Sequence, residues 1–136
     1  EINELKKLDN FLNSRRQIAK SYNALFKDKE HMTVPFVPEY SKHSYHLYPL
    51  IIDFQSLSVD KISFFRSMKK NGILLQVHYI PVHLQPYYRK SFGFKDGDYP
   101  NAEKFYKNEV SIPVYPNLKK TEQEFVIDLF LKEFDD

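Results

Sequence analysis

Apolar positions open the chain in a helical rhythm. Ile2, Leu5, Leu8, Leu12, Ile18, Tyr22 and Leu25 fall at steps of three, four or their sums. This spacing predicts one amphipathic helix of roughly seven turns, starting where the chain starts. A polar connector follows, broken by Pro35 and Pro38, with room for no more than a short edge strand. Leu47, Leu50, Ile51 and Ile52 then form a run suited to a buried strand, in which Pro49 is tolerable at an edge or bulge. "SVDKISFFRSMKKNGI" predicts a helix capped by Ser58, presenting Ile62, Phe65 and Met68 or Lys69, and stopped by Asn71 and Gly72.

In "ILLQVHY" the period of two separates Ile73, Leu75, Val77 and Tyr79 from Leu74, Gln76 and His78, which predicts a second strand ended by Pro81. The long segment after it is interrupted by prolines and leaves space for a helical turn around Gln85 to Lys90. Next come a short helix led by Pro100 and Asn101, then a short extended piece bounded by Pro113 and Pro116. The final helix is expected to carry a capping box of Thr121 and Glu124, with Phe125, Leu129 and Leu131 or Lys132 on its face. The element order α, β, β, α, β, α, β, α with a long first helix implies an α+β fold, a small and mostly antiparallel sheet with helices to one side.

Composition narrows the possibilities. A chain of 136 residues with 42% hydrophobic content suits a single domain spanning residues 1–136. Twenty basic against eighteen acidic residues leave a net charge of +2, which is no footprint for nucleic acid or for a membrane surface. The absence of cysteine excludes disulfides and thiolate zinc sites and fits a reducing cytoplasm. Three scattered glycines form no phosphate-cradling loop. The first helix has neither a methionine nor a cap before it, so a fragment of a longer protein is expected.

Candidate chemistry concentrates in "QVHYIPVHLQPYYRK", residues 76–90. Gln76 and His78 offer donors and acceptors at a strand end. Tyr79 and Tyr87 offer flat amphipathic rings, and His83 or Arg89 could meet a phosphate. Equally, these aromatics could close a core or pack a subunit interface. Four imidazoles, His43, His46, His78 and His83, raise a metal site, although their spacings do not fix tetrahedral geometry. There is no cysteine or GxSxG nucleophile, and the acidic residues lie mostly on helical faces. No self-contained catalytic constellation emerges. Taken alone, the residues leave open a carbohydrate- or protein-binding module.

The ordered motifs "LKKLDNFLNSRRQIAKSYNALF", "SYHLYPLIIDF", "NGILLQVHYIPVHLQPYYRKSFG", "YPNAEKFYKNEVSIPVYPNL" and "TEQEFVIDLFLKEF" resemble the C-terminal part of the DegT/DnrJ-type sugar aminotransferases. "QVHYIPVHLQPYY" is most similar to the branch that aminates C4 of a UDP-linked 4-keto-6-deoxy-N-acetylhexosamine in pseudaminic acid biosynthesis. The resemblance implies the small C-terminal domain of a fold type I pyridoxal-phosphate enzyme. It further implies a homodimer with the active site at the subunit interface, and glutamate as the amino donor. The Schiff-base lysine and the cofactor-binding residues would lie in a large domain outside this sequence, so the fragment alone should be inert. The resemblance assigns nucleotide-sugar contacts to Gln76, Val77, His78 and Tyr79, with His83 as a weaker member. It leaves Tyr45, His46 and Tyr48 and the "SIPVYP" segment to packing.

Overall fold

The computed structural model describes residues 2–134, without the side chain of Ile2. Glu1, where the expected helix begins, and the Ile2 side chain, the first of its apolar stripe, therefore lie outside the described residues. The chain builds helices α1 (Ile2–Leu5) and α2 (Leu8–Phe26), strands β1 (Met32–Thr33) and β2 (Pro49–Ile52), and helix α3 (Lys61–Lys70). It continues with helices α4 (Pro86–Phe92) and α5 (Pro100–Asn108), strand β3 (Glu109–Ser111) and helix α6 (Lys120–Lys132). Single 3-10 turns occupy Phe54–Ser56 and Val82–Leu84. This is an α+β fold whose sheet is antiparallel throughout, in the order β1-β2-β3.

The expected opening helix is divided. Lys6 and Lys7 form a turn in which the Lys7 N–H returns to the Glu4 carbonyl at 3.1 Å, the tighter three-residue closure that ends a helix. Burial starts only in the second half of α2, at Ile18, Ala19, Tyr22 and Phe26. Leu25, placed on the core face by the spacing, is 43% exposed, and Phe26 takes the inward position four residues after Tyr22.

Leu50 and Ile52 share one face of β2 and enter a single core with those α2 residues, Phe64 and Met68 of α3, and Val126, Ile127 and Phe130 of α6. Ring contacts tie the helices together: Phe26 lies 5.4 Å and Phe64 4.9 Å from Phe130, centroid to centroid. Such pairs are worth about 0.5–1.5 kcal/mol each beyond the area they bury. Two phenols enter this core with partners for their polar ends. Tyr22 Oη donates to the Pro113 carbonyl at 2.8 Å and Tyr48 Oη to Asn23 Oδ1 at 2.6 Å, and burial holds both hydroxyls in the protonated form well above the usual tyrosine range.

The inward faces of α3 and α6 differ from the expected ones. Ile62 is 64% and Phe125 52% exposed, while Phe64, Met68, Val126, Ile127 and Phe130 are buried. Both helices carry apolar residues on more than one side, so periodicity alone does not select the stripe that meets the core. The caps shift as well. Asp60, not Ser58, caps α3, its Oδ1 accepting from the N–H groups of Ile62 and Ser63 at 2.9 and 3.1 Å. The cap of α6 is Lys119, two residues before the expected Thr121, with the Glu122 carboxylate accepting from the Lys119 N–H at 2.9 Å. Asn71 and Gly72 do end α3: Gly72 has φ +83°, and the Ile73 N–H reaches the Met68 carbonyl at 2.9 Å, the closing bond of a Schellman motif.

Residues 73–79 do not form the expected strand. Their pairing with β3 reduces to one bridge, in which Gln76 and Ser111 exchange both backbone hydrogen bonds at 3.2 and 2.8 Å. In an antiparallel ladder the next exchanging pairs would be Leu74 with Pro113 and His78 with Glu109. Pro113 has no N–H to give. At the other end the Glu109 carbonyl is taken by Lys61 Nζ at 2.7 Å, and the His78 N–H turns to the Glu109 carboxylate at 2.9 Å. Side chains thus replace the ladder on both sides of the bridge.

Candidate functional site

Strand β3 places Glu109 and Ser111 two residues apart, on one face, and both are buried. The bridge at Gln76 brings the chain back against them, so that His78 meets both. Glu109 Oε2 accepts from the His78 N–H at 2.9 Å, and Ser111 Oγ donates to Glu109 Oε1 at 2.5 Å while lying 2.7 Å from His78 Nδ1. A buried carboxylate needs such donors, because even a neutral polar group buried without a partner costs on the order of 2–7 kcal/mol, and an unpaired charge costs more. Lys61 adds positive charge close by. Its Nζ donates to the Tyr106 and Glu109 carbonyls at 2.6 and 2.7 Å and lies over the Phe65 and Tyr106 rings. Burial lowers the Lys61 pKa from the ordinary lysine value, and the Glu109 charge opposes that shift.

Gln76, His78 and Ser111 form one wall of a cleft of about 720 Å³. His46 reaches it from the segment before β2, Tyr115 from the segment after β3, and Glu122 from the first turn of α6. Its apolar lining includes Ile112, Leu118 and Val126. Such a volume, mostly apolar with a few convergent polar groups, is of the size that holds a small-molecule ligand.

The residues singled out in the sequence separate in space. Gln76 and His78 line the cleft. Tyr79 is 71% exposed and sets its ring edge-on to His78, centroids 4.7 Å apart. Val77 turns instead into a second cleft of about 550 Å³, with Phe65 and Leu75 as its apolar surface and Lys61, Arg66, Lys69 and Lys107 around it. His83 is buried elsewhere. Its Nε2 is 2.9 Å from Glu103 Oε1, and the same carboxylate accepts from the Gly97 and Tyr99 N–H groups. The His83 bond, foremost, holds the Glu103 carboxyl below the usual glutamate range. This pair clamps the loop that joins α4 to α5.

His46 reverses its expected packing role, since it is exposed and lines the cleft, whereas Tyr48 is fully buried as expected. The "SIPVYP" segment, expected only to pack, also lines the cleft through Ser111, Ile112 and Tyr115, and Glu109 carried no expectation. The signal for Glu109 and Ser111 was the alternation in "EVS", which places a carboxylate and a hydroxyl on one strand face. Among the described residues no three of the His, Asp and Glu side chains converge as metal ligands, so the four imidazoles do not form the site raised above. Also among them, no helix is long and apolar enough to cross a membrane.

Pyridoxal phosphate needs a lysine placed to condense with its aldehyde. Lys61 is bonded to two carbonyls, and no lysine is among the residues that line the 720 Å³ cleft. The lining of this cleft therefore does not supply the amine that the cofactor needs.

Comparison with known proteins agrees with this architecture. A UDP-4-amino-4,6-dideoxy-N-acetyl-beta-L-altrosamine transaminase of Campylobacter jejuni is 36% identical over 127 residues, which are 93% of this chain and 33% of that protein. PseC of Helicobacter pylori, an aminotransferase involved in the biosynthesis of pseudoaminic acid, superposes with a TM-score of 0.87 at 31% identity, over 98% of this chain and 35% of that one. The sugar aminotransferase Spr1654 of Streptococcus pneumoniae, described as putative and solved in its PLP form, gives 0.84 at 26% identity, over 95% of this chain and 32% of that one. The chain thus spans about a third of the length of the relatives it matches. With residues 2–131 also matched by the family's own sequence profile, the chain belongs to the DegT/DnrJ/EryC1/StrS aminotransferase family.

Proposed function

We propose that residues 1–136 are the small C-terminal domain of a longer, cytoplasmic, pyridoxal-phosphate-dependent aminotransferase that aminates C4 of a UDP-linked 4-keto-6-deoxy sugar, with glutamate as donor. The observation that carries this reading is the convergence of Gln76 and His78 on one wall of a ligand-sized cleft, in a chain with this family membership. The domain's part is binding. His78, fixed by Glu109 and Ser111, and Gln76 orient the nucleotide sugar. Tyr79 sets its ring edge-on to His78.

In the complete enzyme the cofactor supplies an electron sink for moving the amino group. The cleft offers no lysine for it, so we assign the Schiff-base lysine to the remaining two thirds of the protein, and expect the domain alone to be inactive. We assign the exposed rings of Tyr87, Phe92 and Tyr99 to packing in a homodimer. The test is direct. The longer protein, incubated with glutamate and a UDP-4-keto-6-deoxy-N-acetylhexosamine, should give a UDP-4-amino sugar by mass spectrometry. The 136-residue domain should give none. Amino-sugar formation by the domain alone, or none by the longer protein, contradicts the reading.

A further inference from the structure

The proton count around Ser111 determines how His78 can bind. A serine hydroxyl carries one proton. Both oxygens of Glu109 accept, one from the His78 N–H at 2.9 Å and one from Ser111 Oγ at 2.5 Å, as an ionised carboxylate does. The Ser111 proton is therefore committed to Glu109. What the hydroxyl presents to His78 Nδ1, 2.7 Å away, is a lone pair, so the imidazole must hold its own proton on Nδ1. In the neutral ring, Nε2 is then an acceptor. Among the described residues nothing hydrogen-bonds that nitrogen, and His78 lines the cleft.

We propose that Glu109 and Ser111 are positioning residues that lock His78 in the Nδ1–H tautomer, so that Nε2 takes a hydrogen-bond donor of the ligand. That donor is a sugar hydroxyl or an amide or imide N–H of the nucleotide sugar, and not a phosphate oxygen. The ligand clause rests on the reading of the cleft as a nucleotide-sugar site. The relay itself does not. Were Glu109 protonated, the chain of donors would run the other way, and His78 would offer Nε2–H to an anion. The two arrangements thus select opposite ligand chemistry.

Long-range 1H–15N correlation spectra of the 15N-histidine-labelled protein separate them, at about pH 8.5, two units above the ordinary histidine value near 6.5. His78 is assigned by its loss in His78→Gln. The expected wild-type pattern is protonated Nδ1 and bare Nε2. Ser111→Ala should lose that pattern, and Ser111→Thr, which keeps the hydroxyl, should restore it. An Nε2–H pattern in the wild type, or an unchanged pattern in Ser111→Ala, overturns the proposal. Added UDP-N-acetylglucosamine should move the Nε2 resonance, and inorganic pyrophosphate should not. Its affinity should fall about tenfold in Ser111→Ala, the equivalent of one hydrogen bond of roughly 1.4 kcal/mol. A response to pyrophosphate overturns the ligand clause. An Nδ1–H pattern with no response to UDP-N-acetylglucosamine overturns the cleft reading and leaves the relay standing.

Discussion

Phe64 is fully buried and stands among the rings of Phe54, Phe65, Phe130 and Phe134, with centroids 4.9 to 6.4 Å away. No smaller side chain fills that space, so Phe64→Ala should lower unfolding free energy by roughly 3–5 kcal/mol in urea titration. A loss below about 1 kcal/mol would mean that the rings do not pack as described. Glu103 makes a prediction of a different kind. Its folded-state pKa lies below the usual glutamate range, mainly through His83. The sign follows: its contribution is complete above the ordinary carboxylate range and is lost as pH falls through that range toward the folded value. Glu103→Gln should therefore flatten the acid limb of a melting-temperature profile, and an acid limb identical to wild type contradicts the assignment. Neither His83 nor Glu103 could be given this role from sequence. They are twenty residues apart, and the loop that brings them together is held by the very carboxylate in question.

Elements were more legible than their faces. Helices α3, α5 and α6, strand β2, and the turn at Asn71 and Gly72 all follow local signals that tertiary structure leaves intact: glycine after a helix, proline at its first turn, a β-branched run. Gly72→Ala should cost about 1 kcal/mol or more, because φ is +83° there although the space around it is open. Equal stability of the alanine variant in chemical denaturation would show that the helix ends some other way. The failures share one cause. Ile62 and Phe125 satisfy helical periodicity yet face outward, and residues 73–79 satisfy strand periodicity yet pair only at Gln76. A period states which residues share a face; what covers that face depends on partners distant in the chain. The ladder beyond Gln76 ends because Pro113 lacks a donor and Lys61 occupies the Glu109 carbonyl. Of these, only the proline was visible from local sequence.

Across the molecule, one core is built from α2, α3, α6 and β2, and the cleft lies where β3, the Gln76 bridge and the start of α6 meet. This placement explains why the candidate site was half legible. "QVHY" marked the strand-end segment that lines the cleft, and Gln76 and His78 do line it. Val77 and His83 are carried elsewhere by the backbone, and the groups that fix His78 come from β3, thirty-one and thirty-three residues further along. The account turns on His78 as a ligand-binding side chain on a wall that has no reacting amine of its own. Steady-state kinetics of the longer enzyme with His78→Ala tests it most directly. The account predicts that KM for the UDP-keto sugar rises about tenfold, as expected for losing one ligand hydrogen bond, while kcat changes much less. An unchanged KM, or a loss confined to kcat, would contradict it.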